Sequence, residues 1–133
     1  MHDVSHMDRD GIGGRGGSDN RVRTGFGVGQ QTPQGLDFQV LGTVDASEDC
    51  PGRVLRMRRV TFAPGASIPM HSHKDRPEVG LVMKGTLTNT LKGQSPTQLA
   101  AGTAMLNGPE VEHLPANETS EPVVTLTVDL IKK

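Results

Sequence analysis

From residue 34 onward, no stretch of helical length keeps a 3.6-residue apolar period without meeting Gly or Pro. That interruption excludes a helical domain and leaves short extended segments as the way to bury apolar side chains. "LDFQVLGTV" (36–44), "RVLRMRRVTF" (53–62), "EVGLVMKG" (78–85), "TLTNTLKG" (86–93), "TAMLNG" (103–108) and "PVVTLTVDLI" (122–131) read as strands rich in Val, Leu, Thr and Met. "APGA" (63–66), "KGQSP" (92–96) and "AAG" (100–102) read as the turns between them. Closely spaced short strands point to a sandwich or closed barrel, which also removes exposed strand edges. The expected class is all-β, one domain over residues 34–133.

Residues 1–33 differ in texture. The first thirty hold 8 of the chain's 17 glycines and few apolar anchors, so a flexible Gly-rich N-terminal arm is expected. "GIGGRGG" lacks the preceding buried strand and the following Lys-Ser/Thr helix that a phosphate loop needs.

The balance of charge narrows the partners. A net charge of −1 offers no general attraction to nucleic acid or anionic membrane, and the absence of Trp and Tyr removes stacking platforms for bases. The one cysteine, Cys50, precludes an internal disulfide, and its setting "EDCPG" reads as an exposed turn. With no apolar run of membrane-spanning length and no signal-like start, the expected location is the cytoplasm, or the periplasm if a leader has been removed. The expected partner is a small molecule, not nucleic acid or membrane. "RVLRMRR", with four arginines in seven residues, reads as a solvated strand face rather than a polyanion patch.

Chemistry is concentrated in "PMHSHKDRPE" (69–78). In a strand His71 and His73 project to one side about 7 Å apart, a base from which two imidazoles reach one ion. Glu78 follows at an odd interval, but the turn residues "KDRP" (74–77) can reset the register and return it to the same side. His113, in "GPEVEHLPAN", is a fourth candidate that a neighbouring strand can bring alongside.

These residues carry a family resemblance. "GASIPMHSHKDRPEVGLVMKG" resembles the first cupin motif, G-x5-H-x-H-x4-E-x6-G, through Gly65, His71, His73, Glu78 and Gly85. "GTAMLNGPEVEHLPAN" resembles the second through Gly102, His113 and Asn117, with Gly108 and Glu110 departing from the usual Pro and Gly. The resemblance implies a double-stranded β-helix (a jelly-roll or cupin barrel) of six to eight strands. It also implies that His71, His73, Glu78 and His113 hold one divalent metal. Such a donor set suits Fe, Mn, Ni, Co, Cu or Zn and does not choose among them.

Three functions are consistent with that resemblance. The favoured one is an oxidoreductase of the non-haem dioxygenase type, with Glu78 also able to serve as a base, as similar cupin dioxygenases suggest. The others are a metal-dependent lyase or isomerase acting on a carbonyl or hydroxy acid, and a non-enzymatic metal- or ligand-binding cupin. Arg76 reads either as an anchor for a carboxylate-bearing substrate or as a surface charge. Asp75, Glu110 and Glu112 read as solvated loop carboxylates.

Counting outward from Glu78 and His113 places Gly80, Val82, Val111 and Pro115 inside, in an aliphatic pocket with Met and Val rather than aromatic walls. Val79, Leu81 and Met83 then fall on the outer face, which would be covered by an N-terminal strand or a second subunit; a homodimer is expected.

Overall fold

The structure is a computed structural model that describes Met7–Asp8 and residues 34–133; the arm expected over residues 1–33 otherwise lies outside the described residues. All regular structure described is β: β1 (Met7–Asp8), β2 (Leu36–Asp45), β3 (Arg53–Phe62), β4 (His71–Ser72), β5 (Glu78–Lys84), β6 (Thr86–Leu91), β7 (Thr97–Ala100), β8 (Ala104–Asn107), β9 (Glu112–Ala116) and β10 (Val123–Lys132). No helix among the described residues is long and apolar enough to cross a membrane.

The strands form two antiparallel sheets. One runs β1-β2-β3-β10-β5-β8 and the other β4-β9-β6-β7. Every strand read from the sequence is present, and β3 has the expected bounds. The short strands β7 and β9 were not foreseen, because "TQLA" and "EHLPA" are too brief and too polar to stand out by alternation. His71 lies in a two-residue strand and His73 just beyond it, so the pair does not share one continuous strand.

The sheets enclose a core of Leu36, Val60, Phe62, Val82, Leu87, Met105 and Val123, with Phe38, Ile68 and Leu99 packed against it. Turn chemistry holds the ends. Gly85 links β5 to β6 at φ +83°, where a Cβ would stand 2.8 Å from the carbonyl oxygen of Pro122, so only glycine fits.

The outcome for β3 reverses the expected solvated face. Its burial alternates so that Arg56, Arg58, Val60 and Phe62 point into the barrel, while Leu55 and Met57 are exposed. Of the four arginines in "RVLRMRR", Arg59 lies on the outer face and donates to Gln39 (2.8 Å). Arg53 donates through Nη1 to the carbonyls of Asp75 (2.8 Å) and Leu130 (3.3 Å), tying down the turn between β4 and β5.

Asn117, fully buried, closes the loop between β9 and β10. Its Nδ2 donates to the carbonyls of Phe62 (3.0 Å) and Glu121 (2.7 Å), and its Oδ1 accepts from the amide and hydroxyl of Thr119 (2.9 and 2.7 Å). Asn117→Ala leaves several of these groups buried without partners and is expected to cost about 2–4 kcal/mol in denaturant unfolding. A loss below about 0.5 kcal/mol would show that the loop closes without this side chain.

Candidate metal centre

Cross-strand pairing assembles the centre. His71 on β4 lies directly opposite His113 on β9, so their side chains share a face. The His73 amide donates to the Val111 carbonyl (2.9 Å), continuing the alignment past the end of β4. The turn that follows is clasped by His73 twice: its carbonyl accepts from the Arg76 amide (3.1 Å), and its ring Nδ1 meets the Arg76 carbonyl (2.9 Å). The expected resetting by "KDRP" therefore has a physical agent, and Glu78 emerges on the inner face of β5.

Each histidine is oriented from behind. Nδ1 of His71 faces the Pro69 carbonyl (2.8 Å), that of His73 the Arg76 carbonyl (2.9 Å), and that of His113 Oδ1 of Asn89 (2.8 Å). These oxygens only accept, so each Nδ1 carries the proton and each Nε2 presents a lone pair. One donor atom from each of the three rings lies within 4.8 Å of the others. The Nε2 atoms of His73 and His113 are 3.1 Å apart. Two lone pairs facing each other repel unless a cation lies between them. Two nitrogens each about 2.1 Å from one ion, at angles between square and tetrahedral, stand about 3.0–3.4 Å apart. The residues fit a metal ion.

Glu78 lies at the margin of this cluster. Its Oε1 is 3.8 Å from His73 Nε2 and accepts from Asn107 Nδ2 (3.1 Å); its Oε2 is 3.4 Å from Arg76 Nη1. The β-ladder explains these neighbours, since Glu78 pairs with Asn107 on one side and Asp129 on the other, and Asp129 pairs with Arg56. Two carboxylates side by side on one face would repel. Arg56 offsets this with a two-point bond to Asp129 (2.7 and 3.1 Å), and Arg76 with a further bond to it (2.7 Å). Burial alone would raise the Asp129 pKa, but the hydrogen bonds from Arg56 and Arg76 and the charges of Arg56 and Arg58 outweigh it and hold it below the usual carboxylate value.

Beneath the cluster lies a cavity of about 310 Å³, small for a ligand site. Its walls include Phe38 and Phe62, which corrects the expectation of a pocket without aromatic residues. Pro115 lines it as expected, but Val111 does not: it lines a separate surface depression, together with Glu110 and Glu112. Glu112 pairs with Lys92 (3.0 Å) at the surface. Asn89, Asn107 and Asp129 were not singled out from the sequence, and the two inward arginines were read as part of a solvated face. No local motif marks them, because their partners lie on other strands.

Two of the imidazoles, those of His113 and His71, resist protonation. Burial, then the charges of His71 and His73, pull the His113 pKa from 6.5 to about 4. Burial, outweighing the bond to the Pro69 carbonyl, lowers that of His71. A depressed histidine pKa stabilises the neutral folded form. Its contribution is complete above the unfolded value of 6.5 and is lost as pH falls through the folded value. Metal-free protein is therefore expected to lose stability as pH falls from about 6.5 toward about 4. Thermal melting across that range checks this, and a flat profile would mean that these rings protonate freely in the folded state.

The comparisons with known proteins agree with this geometry. The Cupin domain family matches residues 58–129. Among solved structures, an oxalate oxidase in complex with the substrate analogue glycolate is 25% identical over 74% of this chain and 52% of its own, with a TM-score of 0.56. This chain thus spans about half the length of that oxidase. An RmlC-like cupin from Shewanella frigidimarina NCIMB 400 is 21% identical over 78% of this chain and 83% of its own (TM-score 0.60). A Cupin 2 conserved barrel domain protein from Salinispora arenicola CNS-205 is 23% identical over 71% and 74% (TM-score 0.57). No curated protein matches the sequence. With the family's pattern spanning residues 58–129 and the double-sheet barrel built around its histidines, this chain belongs to the cupin family.

Proposed function

We propose that the chain holds one divalent metal ion through His71, His73, His113 and Glu78, and that it is a small-molecule oxidoreductase of the non-haem dioxygenase type. The observation that carries the reading is the convergence of three Nε2 lone pairs, each fixed by a hydrogen bond at Nδ1, over a cavity with both apolar walls (Phe38, Val60, Phe62, Leu87) and charged ones (Arg56, Arg58). The similar oxalate oxidase supports an oxidative activity. When bound, iron, manganese, nickel or copper would supply a redox couple and positions left open by four protein ligands. Phe38, Phe62 and Leu87 form an apolar part of the cavity wall. Glu78, mostly buried and restrained by Asn107, is placed to take a proton at a carboxylate oxygen. Arg76 is the proposed anchor, because it lines the cavity and bonds neighbouring side chains, those of Asp129 and Glu78, through Nη1 alone.

Elemental analysis of protein purified without added metal tests this reading first. About one equivalent of a redox-active metal, absent in His73→Ala, is the expected result, and oxygen uptake with candidate substrates then follows. One equivalent of zinc would instead favour Lewis-acid chemistry of the lyase or isomerase kind. Protein that takes up no divalent ion would overturn the metal centre.

We also infer a homodimer. The outer face of β3, β10, β5 and β8 exposes Leu55, Met57, Val79, Leu81, Met83 and Leu106, with Val79 at 55% and Leu106 at 72%. Val124, Leu126 and Val128, half-buried, lie among them on β10. A contiguous aliphatic sheet face of this kind is the signature of a covered surface. Sedimentation velocity is expected to give twice the chain mass, and Leu81→Lys to give monomer with unchanged metal content. Wild-type protein that sediments as monomer would dismiss the dimer.

A further inference from the structure

Of the three histidines, only His113 is oriented by another side chain. Nδ1 of His71 and of His73 faces a main-chain carbonyl, that of Pro69 or of Arg76. Nδ1 of His113 faces Oδ1 of Asn89 at 2.8 Å.

The ladder brings that amide to the ring. Asn89 on β6 pairs with Pro115 of β9, two residues beyond His113, so Asn89 and His113 are diagonal neighbours on one face. Along β6 the same face carries Leu87 and Leu91, and Leu87 belongs to the apolar core. A half-buried amide between two leucines loses hydration, and the bond to His113 offsets that cost.

The bond also decides what the cluster can do. His113 is 3% exposed, and burial disfavours its doubly protonated form. A neutral imidazole carries one ring proton and holds it on either nitrogen. With the proton on Nδ1, His113 donates to Asn89 and turns a lone pair at Nε2 toward His73. With the proton on Nε2, it would donate across the 3.1 Å gap to Nε2 of His73. That acceptor is always present, because the Nδ1 proton of His73 is committed to the Arg76 carbonyl. The second state removes the repulsion between facing lone pairs and occupies both donor atoms that an ion needs. It closes the site with a hydrogen bond between two of its own ligands. An acceptor at Nδ1 of His113 is what opposes it.

We propose that Asn89 is a positioning residue of the metal centre: its amide oxygen selects the tautomer in which His113 offers the Nε2 lone pair to an ion instead of donating a proton to His73. The inference rests on the proposed metal centre and states what keeps it open. Asn89 differs from a backbone carbonyl in one respect. Turned over, its amide presents a donor and favours the closed state; an aspartate there could only accept, and a leucine could do neither.

NMR of the ring nitrogens in metal-free protein at neutral pH, together with zinc affinity from chelator competition, tests the assignment. Wild-type His113 is expected in the Nδ1–H form. Asn89→Leu, similar in size, is expected to shift His113 to the Nε2–H form and to weaken zinc by at least roughly tenfold. His71 and His73 are expected to keep their Nδ1 protons in that variant, whereas a merely structural role for Asn89 would disturb all three rings. Asn89→Asp is expected to retain the Nδ1–H form and to bind zinc at least as tightly as wild type. Unchanged zinc affinity in Asn89→Leu would overturn the proposal. So would wild-type His113 in the Nε2–H form, or a loss in Asn89→Asp as large as that in Asn89→Leu. Wild type that takes up no divalent ion would remove the metal centre and the proposal with it, while failure of Asn89's role alone leaves metal binding intact, so the two failures read differently.

Discussion

Two imidazole nitrogens 3.1 Å apart, each with its proton on the far side of the ring, are the constraint around which this barrel is arranged. Left alone, the lone pairs repel. Protonating one ring would relieve this, but burial makes the charged form unfavourable, and His113 is held neutral down to about pH 4. A metal ion placed between the rings, as proposed, would relieve that repulsion. The backing groups are what enforce it. Two are backbone carbonyls of the ligand segment itself, and the third is the Asn89 amide on a neighbouring strand. Replacing a carbonyl acceptor is impossible by side-chain substitution, so two of the three tautomers are fixed by chain geometry alone.

A second consequence follows on the opposite sheet. The proposed ligand role of Glu78 sets a carboxylate in a poorly solvated place, and the ladder sets Asp129 beside it. The two acids are tolerable because β3 and the turn before β5 each deliver an arginine to the same face. Arg56 and Arg76 meet that demand with short bonds to Asp129, and Arg58 stands 3.6 Å from it. Buried ion pairs seldom add net stability, so this cluster is better understood as holding charge in place than as holding the fold together.

Much of this was legible in the chain. The strands declare themselves by β-branched composition and by Gly and Pro at their ends, and the family resemblance singles out the three histidines that converge, His71, His73 and His113, with Glu78 at their margin. What could not be read is which face of β3 points inward. In "RVLRMRR" charged and apolar residues alternate, so period alone offers two equal faces. Ordinary burial preference then selects the apolar one, and wrongly. The deciding partner, Asp129, is 73 residues from Arg56, beyond the reach of any local pattern. The aromatic walls escaped for a similar reason: Phe38 and Phe62 enter the cavity through the β2–β3 pairing, which no spacing announces.

The same ambiguity raises the question of what keeps the arginines inside. A one-residue slip of β3 would expose Arg56 and Arg58 and bury Leu55 and Met57, a change the hydrophobic effect favours at that end of the strand. The other end opposes it. There the slip would expose Val60 and Phe62, both almost fully buried, and replace them with Arg59 and Thr61. β5 and β10 are built alike, with Val82 and Val123 as the buried anchors and Glu78 and Asp129 as the polar ends. Each strand is thus divided: an apolar half fixes the register, and the register obliges the other half to carry its charges inward. The functional end of the barrel is held against its own hydrophobic preference by the core beneath it. The aliphatic residues displaced to the outside are the counterpart of that division, and they form the face that the proposed dimer would bury.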